Sequence, residues 1–355
     1  MELKYKPDFT QAKKYWNAFW EKEIIDRPLL ITETPKDSLK QISPPQYMNG
    51  IEGDFQKAIE EFEEYAENTY FACESIPYLP ISFGPDMFSY FLKGAEKKVK
   101  IESNTAWIEP FVNKWEEFPP LELDRKNFWY KRYLDFYKYA GEKGNGKFLL
   151  EMADFHTHLD CLRAIRGSSQ LCLDLIDNSE EIEKRLIQIR QIFPIVYNDI
   201  YKMGNMEKCG TIGWIPFYCE KKYATIQCDF ICMIGKEMFR KFALPSIEEE
   251  ANFLDHCIYH LDGIGALNHL DDLLTIEKID AIQWVPGAGK GTHKDWIDIL
   301  EKIHKKGKSL IIYPSSIDEI KIFHKELGPE RIVYQIKLKT LKEVEEIKNW
   351  LIKNT

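Results

Sequence analysis

The chain alternates between two hydrophobic periods. Residues 9–23 repeat at helical spacing, with Tyr15, Trp16, Phe19 and Trp20 on one packing face. The run DRPLLITET (26–34) predicts a first strand, and residues 54–68 predict an amphipathic helix rich in Glu. Residues 44–53 form a turn-rich loop. Residues 73–84 make a strand-to-loop unit, where Pro77 and Pro80 break any helix. Residues 106–120 have the character of a lid-like excursion.

From about residue 128 the order becomes regular. Helix 128–141, strand 147–153, helix 159–165, helix 179–203 and strand 209–214 follow one another. Segment 224–229, helix 236–242, segment 246–254, strand 257–261, helix 266–275 and strand 281–285 come next. Helix 294–305, strand 309–313, helix 317–327, strand 332–336 and helix 341–353 close the chain. Strands alternating with helices of this length imply βαβ units and a parallel sheet. Roughly eight such strands predict a single α/β domain, a closed (β/α)8 barrel of the TIM type. It would span residues 26–355, with residues 1–25 as an N-terminal helical extension.

A length of 355 residues with 44% hydrophobic residues supports a large core. The net charge of −9, with interspersed Lys and Glu, excludes nucleic acid or an anionic membrane as the main partner. The one dense basic run, 302–308, has the pattern of an exposed helix end. No basic start precedes an apolar run, and no stretch nears the ~18 apolar residues of a membrane span. A cytoplasmic monomer or homodimer is expected. The eight cysteines are scattered without a CxxC pair, which predicts reduced thiols and rules out a ribbon or finger zinc site.

A barrel builds its active face from residues just after its strands. Four groups fall there: Glu151, Asp154, His156, His158 and Asp160; Trp214, Phe217 and Tyr218; Cys228, Asp229 and Cys232; His260, Asp262 and His269, followed by Trp284 and His293. Aromatics with a few polar groups predict a small-molecule pocket, with Glu151, Trp214, Tyr218 and Trp284 as substrate contacts. His260 and Asp262 sit two apart after an apolar strand, so both can face one ion. Cys228 would make a three-ligand zinc site with an open position. The plainer alternative is a core histidine and a carboxylate bonded to backbone. His156 or His158 contacts substrate, or one of them caps the next helix. Asp160 begins that helix, and Arg163 and Arg166 pair with local acids or clamp an anion. PGAGKGTH (286–293) lacks Walker spacing and predicts a loop that lets backbone approach a ligand.

Several of these stretches resemble the uroporphyrinogen decarboxylase superfamily, which includes zinc- and corrinoid-linked methyltransferases. They are RPLL at Arg27, LDCLRAIRGSSQLCLDLIDNSEEI from Leu159, CDFICMIGKEMFRKFALP from Cys228, YHLDGIGALNHLDDLL, DAIQWVPGAG and LGPERI. The resemblance implies the same barrel. The decarboxylases carry an arginine pair after their RPP strand, where this chain has ITETPKD, and an Asp where Ser75 stands beside Glu74. The methyltransferase zinc motif is His-x-Cys with a later Cys. Here it becomes His260-Leu261-Asp262, with no Cys near Lys337. The resemblance therefore implies a methyltransferase moving a methyl group from a small methylated substrate to a corrinoid on a separate protein. His260, Asp262 or a bound ion would polarise the leaving group, and His156 or His158 would supply a proton. The alternative is a metal-free decarboxylase or lyase acting on a smaller acid, with Asp229 or Asp262 stabilising a cationic intermediate.

Overall fold

The computed structural model describes residues 2–36, 42–45, 48, 50–103 and 105–355. The predicted 44–53 loop therefore lies partly outside the described residues. The strands are β1 (Leu29–Pro35), β2 (Thr69–Cys73), β3 (Tyr78–Leu79), β4 (Val99–Glu102), β5 (Thr105–Ile108), β6 (Leu149–Met152) and β7 (Thr211–Gly213). They continue as β8 (Tyr218–Cys219), β9 (Tyr223–Gln227), β10 (His256–Asp262), β11 (Ala281–Val285), β12 (Ser309–Ile312) and β13 (Ile332–Gln335). One sheet runs β2-β1-β13-β12-β11-β10-β9 and is parallel except for the β1–β2 pair. A second runs β3-β6-β7-β8, and β4–β5 is a separate hairpin.

Among the described residues, the predicted closed ring of strands is not formed as one ladder. Antiparallel β2 takes the edge of β1 that faces away from β13. At the other seam β7 abuts β9 through side chains. The Tyr223 hydroxyl donates to the Ile215 carbonyl at 3.1 Å. Gly213 lacks the Cβ that would stand 3.0 Å from the Tyr223 ring.

Alternate strand residues divide between two cores, as period 2 requires. Leu30, Leu150, Ile226, Tyr259, Ile282, Leu310 and Ile332 face the helix layer. Leu29, Ile31, Leu149, Ile258, Ala281, Ile311 and Val333 face an inner core. Further along the same inner parity the residues become polar: Glu33, Glu151, Gln227, His260, Gln283, Tyr313 and Gln335. The strands are thus apolar at their N-terminal ends and chemically equipped at their C-terminal ends.

The helix Phe9–Trp20 closes the apolar end. Trp16 Nε1 donates to the Glu74 carbonyl at 3.0 Å, and Trp20 Nε1 to the Tyr218 carbonyl at 2.7 Å. Behind Trp16, buried Arg27 grips Glu74 through two hydrogen bonds of 2.7 and 2.8 Å.

Local chemistry sets the helix ends. Asn127 accepts from Trp129 N and starts Phe128–Gly144. Thr340 and Glu343 form a reciprocal box at the start of Leu341–Asn354. Three features depart from expectation. The helix Ser168–Asp177 fills a stretch not assigned from sequence. The lid-like excursion is pinned down: Trp115 is buried, and its Nε1 donates to Asp174 at 2.8 Å. Lys308, placed at an exposed helix end by the basic run, is buried and donates to the Ile276 and Ile279 carbonyls at 2.6 and 2.7 Å. All eight cysteines are free thiols.

Candidate active site

The C-terminal ends of β6, β9, β10 and β11 bring one cluster together. Parallel register sets His260 beside Gln227 on one side and Gln283 on the other. Gln283 Oε1 is hydrogen-bonded to His260 Nδ1, and Gln283 Nε2 donates to the Tyr313 hydroxyl. With Nδ1 engaged, Nε2 is the nitrogen left to bind. Gln227 Nε2 donates to Asp154.

Asp160 lies in the first turn of the helix His158–Arg166, which starts two residues before it, and also does more. Its carboxylate accepts from the Asp229 and Phe230 backbone N–H groups at 2.9 Å each. This anchors the 229–233 turn and projects Asp229 into the cluster. His156 lies between carboxylates: Nε2 is 3.6 Å from Asp154, while Nδ1 is 3.5 Å from Asp160 and 3.8 Å from Asp229. Ligand atoms of Asp229, His260 and Asp262 lie within 4.8 Å of one another, and so do those of His156, Asp160 and Asp229.

Electrostatics follow from this crowding. Burial and then the Asp160 charge raise the Asp229 carboxyl above its ordinary value. Burial and Asp154 push Glu151 well up. Burial opposes the charged form of His156, but Asp154 and Asp160 outweigh it and raise its imidazole well above the usual range. Burial also opposes the Asp160 charge, yet His156 holds that carboxyl low.

Trp214 packs edge-on against His260, with ring centroids 5.0 Å apart. Glu151 is buried on the inner face. Four other expected positions lie elsewhere. Cys228 has the outer parity, packs in the helix-side core, and is 3.9 Å from Asp160; burial pushes its thiol well up. Its neighbour Asp229 takes the place among the ligand atoms. Trp284 also has the outer parity and packs against Trp296. Tyr218 belongs to the opposite end, against Phe9, with its hydroxyl on the Cys209 carbonyl at 3.1 Å. His158 turns into the helix layer, 3.2 Å from Glu250.

His269 and His293 hold backbone carbonyls and stay outside the cluster. Arg166 pairs locally with Asp174, while Arg163 pairs with Asp86 from a distant segment, and neither clamps an anion at the cluster. Gly287, Gly289 and Gly291 all have positive φ, the conformation that glycine permits in a loop approaching a ligand.

Beside the cluster opens a cavity of about 820 Å³, lined among others by Ile31, Glu33, Tyr65, Tyr78, Tyr313 and Lys337. Tyr313 therefore touches both the cavity and, through Gln283, His260. Half-buried Glu33 accepts from Tyr65 and, at 3.3 Å, from Ser75; burial raises its carboxyl above the ordinary value. Sequence reasoning missed Gln227, Gln283, Tyr313 and Glu33. Their inner parity, counted forward from the apolar strand residues, is the signal that could have found them.

No protein-family model and no curated protein matches the chain in sequence. Among solved structures it is similar to a methyltransferase from Methanosarcina mazei, with a TM-score of 0.58 and 12% identity over 97% of each chain. At that identity the two proteins share a fold over nearly their whole lengths: a mixed α/β body with a large parallel sheet.

Proposed function

We propose that this protein is a methyltransferase on a (β/α)8 barrel with open seams. It moves a methyl group from a small methylated substrate to a corrinoid carried by a separate protein. The observation that carries this reading is the Asp229–His260–Asp262 grouping at the strand ends. The end-to-end likeness to a methyltransferase supports it. Nothing in the grouping resembles the arginine clamp that a polycarboxylate substrate needs.

The donors fit a divalent ion. They are one imidazole nitrogen, freed by the Gln283 contact, and two carboxylates, a set suited to zinc or a harder ion. A bound ion would act as a Lewis acid on the leaving heteroatom. Gln283 fixes the His260 tautomer, Asp160 fixes the turn that carries Asp229, and Trp214 walls the cluster. The methylated substrate sits in the Tyr313-lined cavity, its leaving atom toward His260. The methyl–heteroatom bond would break with its electron pair staying on the heteroatom; a corrinoid docked over the mouth would supply the nucleophile that takes the methyl group.

The test is methyl transfer to free cobalt(I) cobalamin from methoxy, methylamine and methylthio donors, followed by absorbance. We expect transfer from one class and a loss of at least ~100-fold in His260→Ala, the scale of losing Lewis-acid assistance. No transfer from any donor would sink the methyltransferase reading. Carbon dioxide release from a small acid would replace it with the lyase.

A further inference from the structure

We propose that the site takes two divalent cations bridged by Asp229, one held with His260 and Asp262 and the other with His156 and Asp160. The pair rests on the metal-binding reading of Asp229, His260 and Asp262 given above. The second ion has its own evidence in His156. This side chain is only 10% exposed, and its Nδ1 has no hydrogen-bond partner. That nitrogen faces Asp160 Oδ2 at 3.5 Å and Asp229 Oδ2 at 3.8 Å. Both gaps are too long for a hydrogen bond. They are close to the ~3.4 Å that separates two donors each ~2.1 Å from a tetrahedral ion.

The surroundings favour the same occupant. His156 Nε2 faces Asp154 Oδ2 at 3.6 Å, and Gln227 orients that carboxylate. Asp160 Oδ2, the oxygen that faces His156, accepts one backbone N–H from Asp229 and keeps a lone pair for an ion. Asp229 belongs to both ligand groups, and a carboxylate has one oxygen for each of two ions. Among the described residues, no lysine or arginine forms an ion pair with Asp154, Asp160, Asp229 or Asp262. Asp154, Asp160 and Asp229 instead approach His156. Paired ions about 3.5–4 Å apart are a familiar way to bind and polarise one substrate oxygen from two sides.

The experiment is metal titration of the stripped full chain with manganese(II), read by elemental analysis and electron paramagnetic resonance. Circular dichroism verifies that each variant is folded. We expect two ions per wild-type chain with an exchange-coupled signal. His156→Ala and the milder His156→Asn should each keep one ion and lose the coupling. A single ion per wild-type chain, whichever variant loses it, overturns the pair while leaving a one-metal methyltransferase standing. Two ions that survive both His156 variants overturn the assignment of His156. No bound ion in the wild type overturns both the pair and the metal-assisted reading.

Discussion

Asp174 shows how one buried charge is held. Its carboxylate accepts from Arg166 at 2.6 and 3.1 Å, Trp115 at 2.8 Å, Asn178 at 3.1 Å and Gln170 at 3.3 Å. Burial works against its charge, but Arg166 and the other donors hold its carboxyl below the ordinary value. A group depressed in the folded state stabilises above its unfolded value of about 3.9 and loses that contribution as pH falls through the folded value. Asp174→Asn should cost about 3 kcal/mol at pH 7, the low end for breaking a buried pair. Its stability should also fall less steeply than wild type below about pH 4. Urea melts at pH 7 and pH 3 check both; parallel curves would mean that Asp174 does not titrate with folding. The sequence anticipated that Arg166 has a local acid partner, whereas the acid that Arg163 meets, Asp86, comes from 77 residues away. It could not separate Cys228 from Asp229, because both follow the same apolar run. Only the side from which β9 is buried assigns the inward position.

Among elements, the helix Phe9–Trp20 behaves as a floor to the inner core. Trp16 is fully buried, packs against Phe19 and Phe217, and donates to Glu74. Trp16→Ala should cost roughly 3–5 kcal/mol, the range for emptying a buried aromatic site. Chemical denaturation measures this, and a loss below ~1 kcal/mol would make the helix a detachable extension. Its four-aromatic face was legible because helical period alone produces it. So were the elements 179–203, 281–285 and 317–327, whose bounds match the structure. The short strands β2, β3 and β8 were not legible as partners. β2 pairs with β1 antiparallel, and no local period records which edge a strand will take.

The whole molecule concentrates acid at one mouth. Asp154, Asp160, Asp229 and Asp262 repel one another unless cations offset them. A divalent ion that binds only the folded chain stabilises it by mass action. Chelator should therefore lower Tm by roughly 5 °C relative to an ion concentration ~100 times Kd. Asp229→Asn should melt at the same temperature with or without chelator. Calorimetry decides this, and a wild-type Tm insensitive to both metal and chelator would remove the ion. Among the described residues, no helix is long and apolar enough to cross a membrane.

Sequence by itself determined the kind and order of most elements, because hydrophobic period is a local property of the chain. It also determined that His260 and Asp262 share a face, since two residues along a strand restore its orientation. Tertiary structure decided which groups join them. Parallel register sets Gln227 and Gln283 beside His260. The Asp160 carboxylate accepts from the Asp229 N–H, 69 residues away, and places the carboxylate that completes both ligand groups. Such contacts depend on packing between distant segments, and no residue pattern along the chain encodes the distance between them.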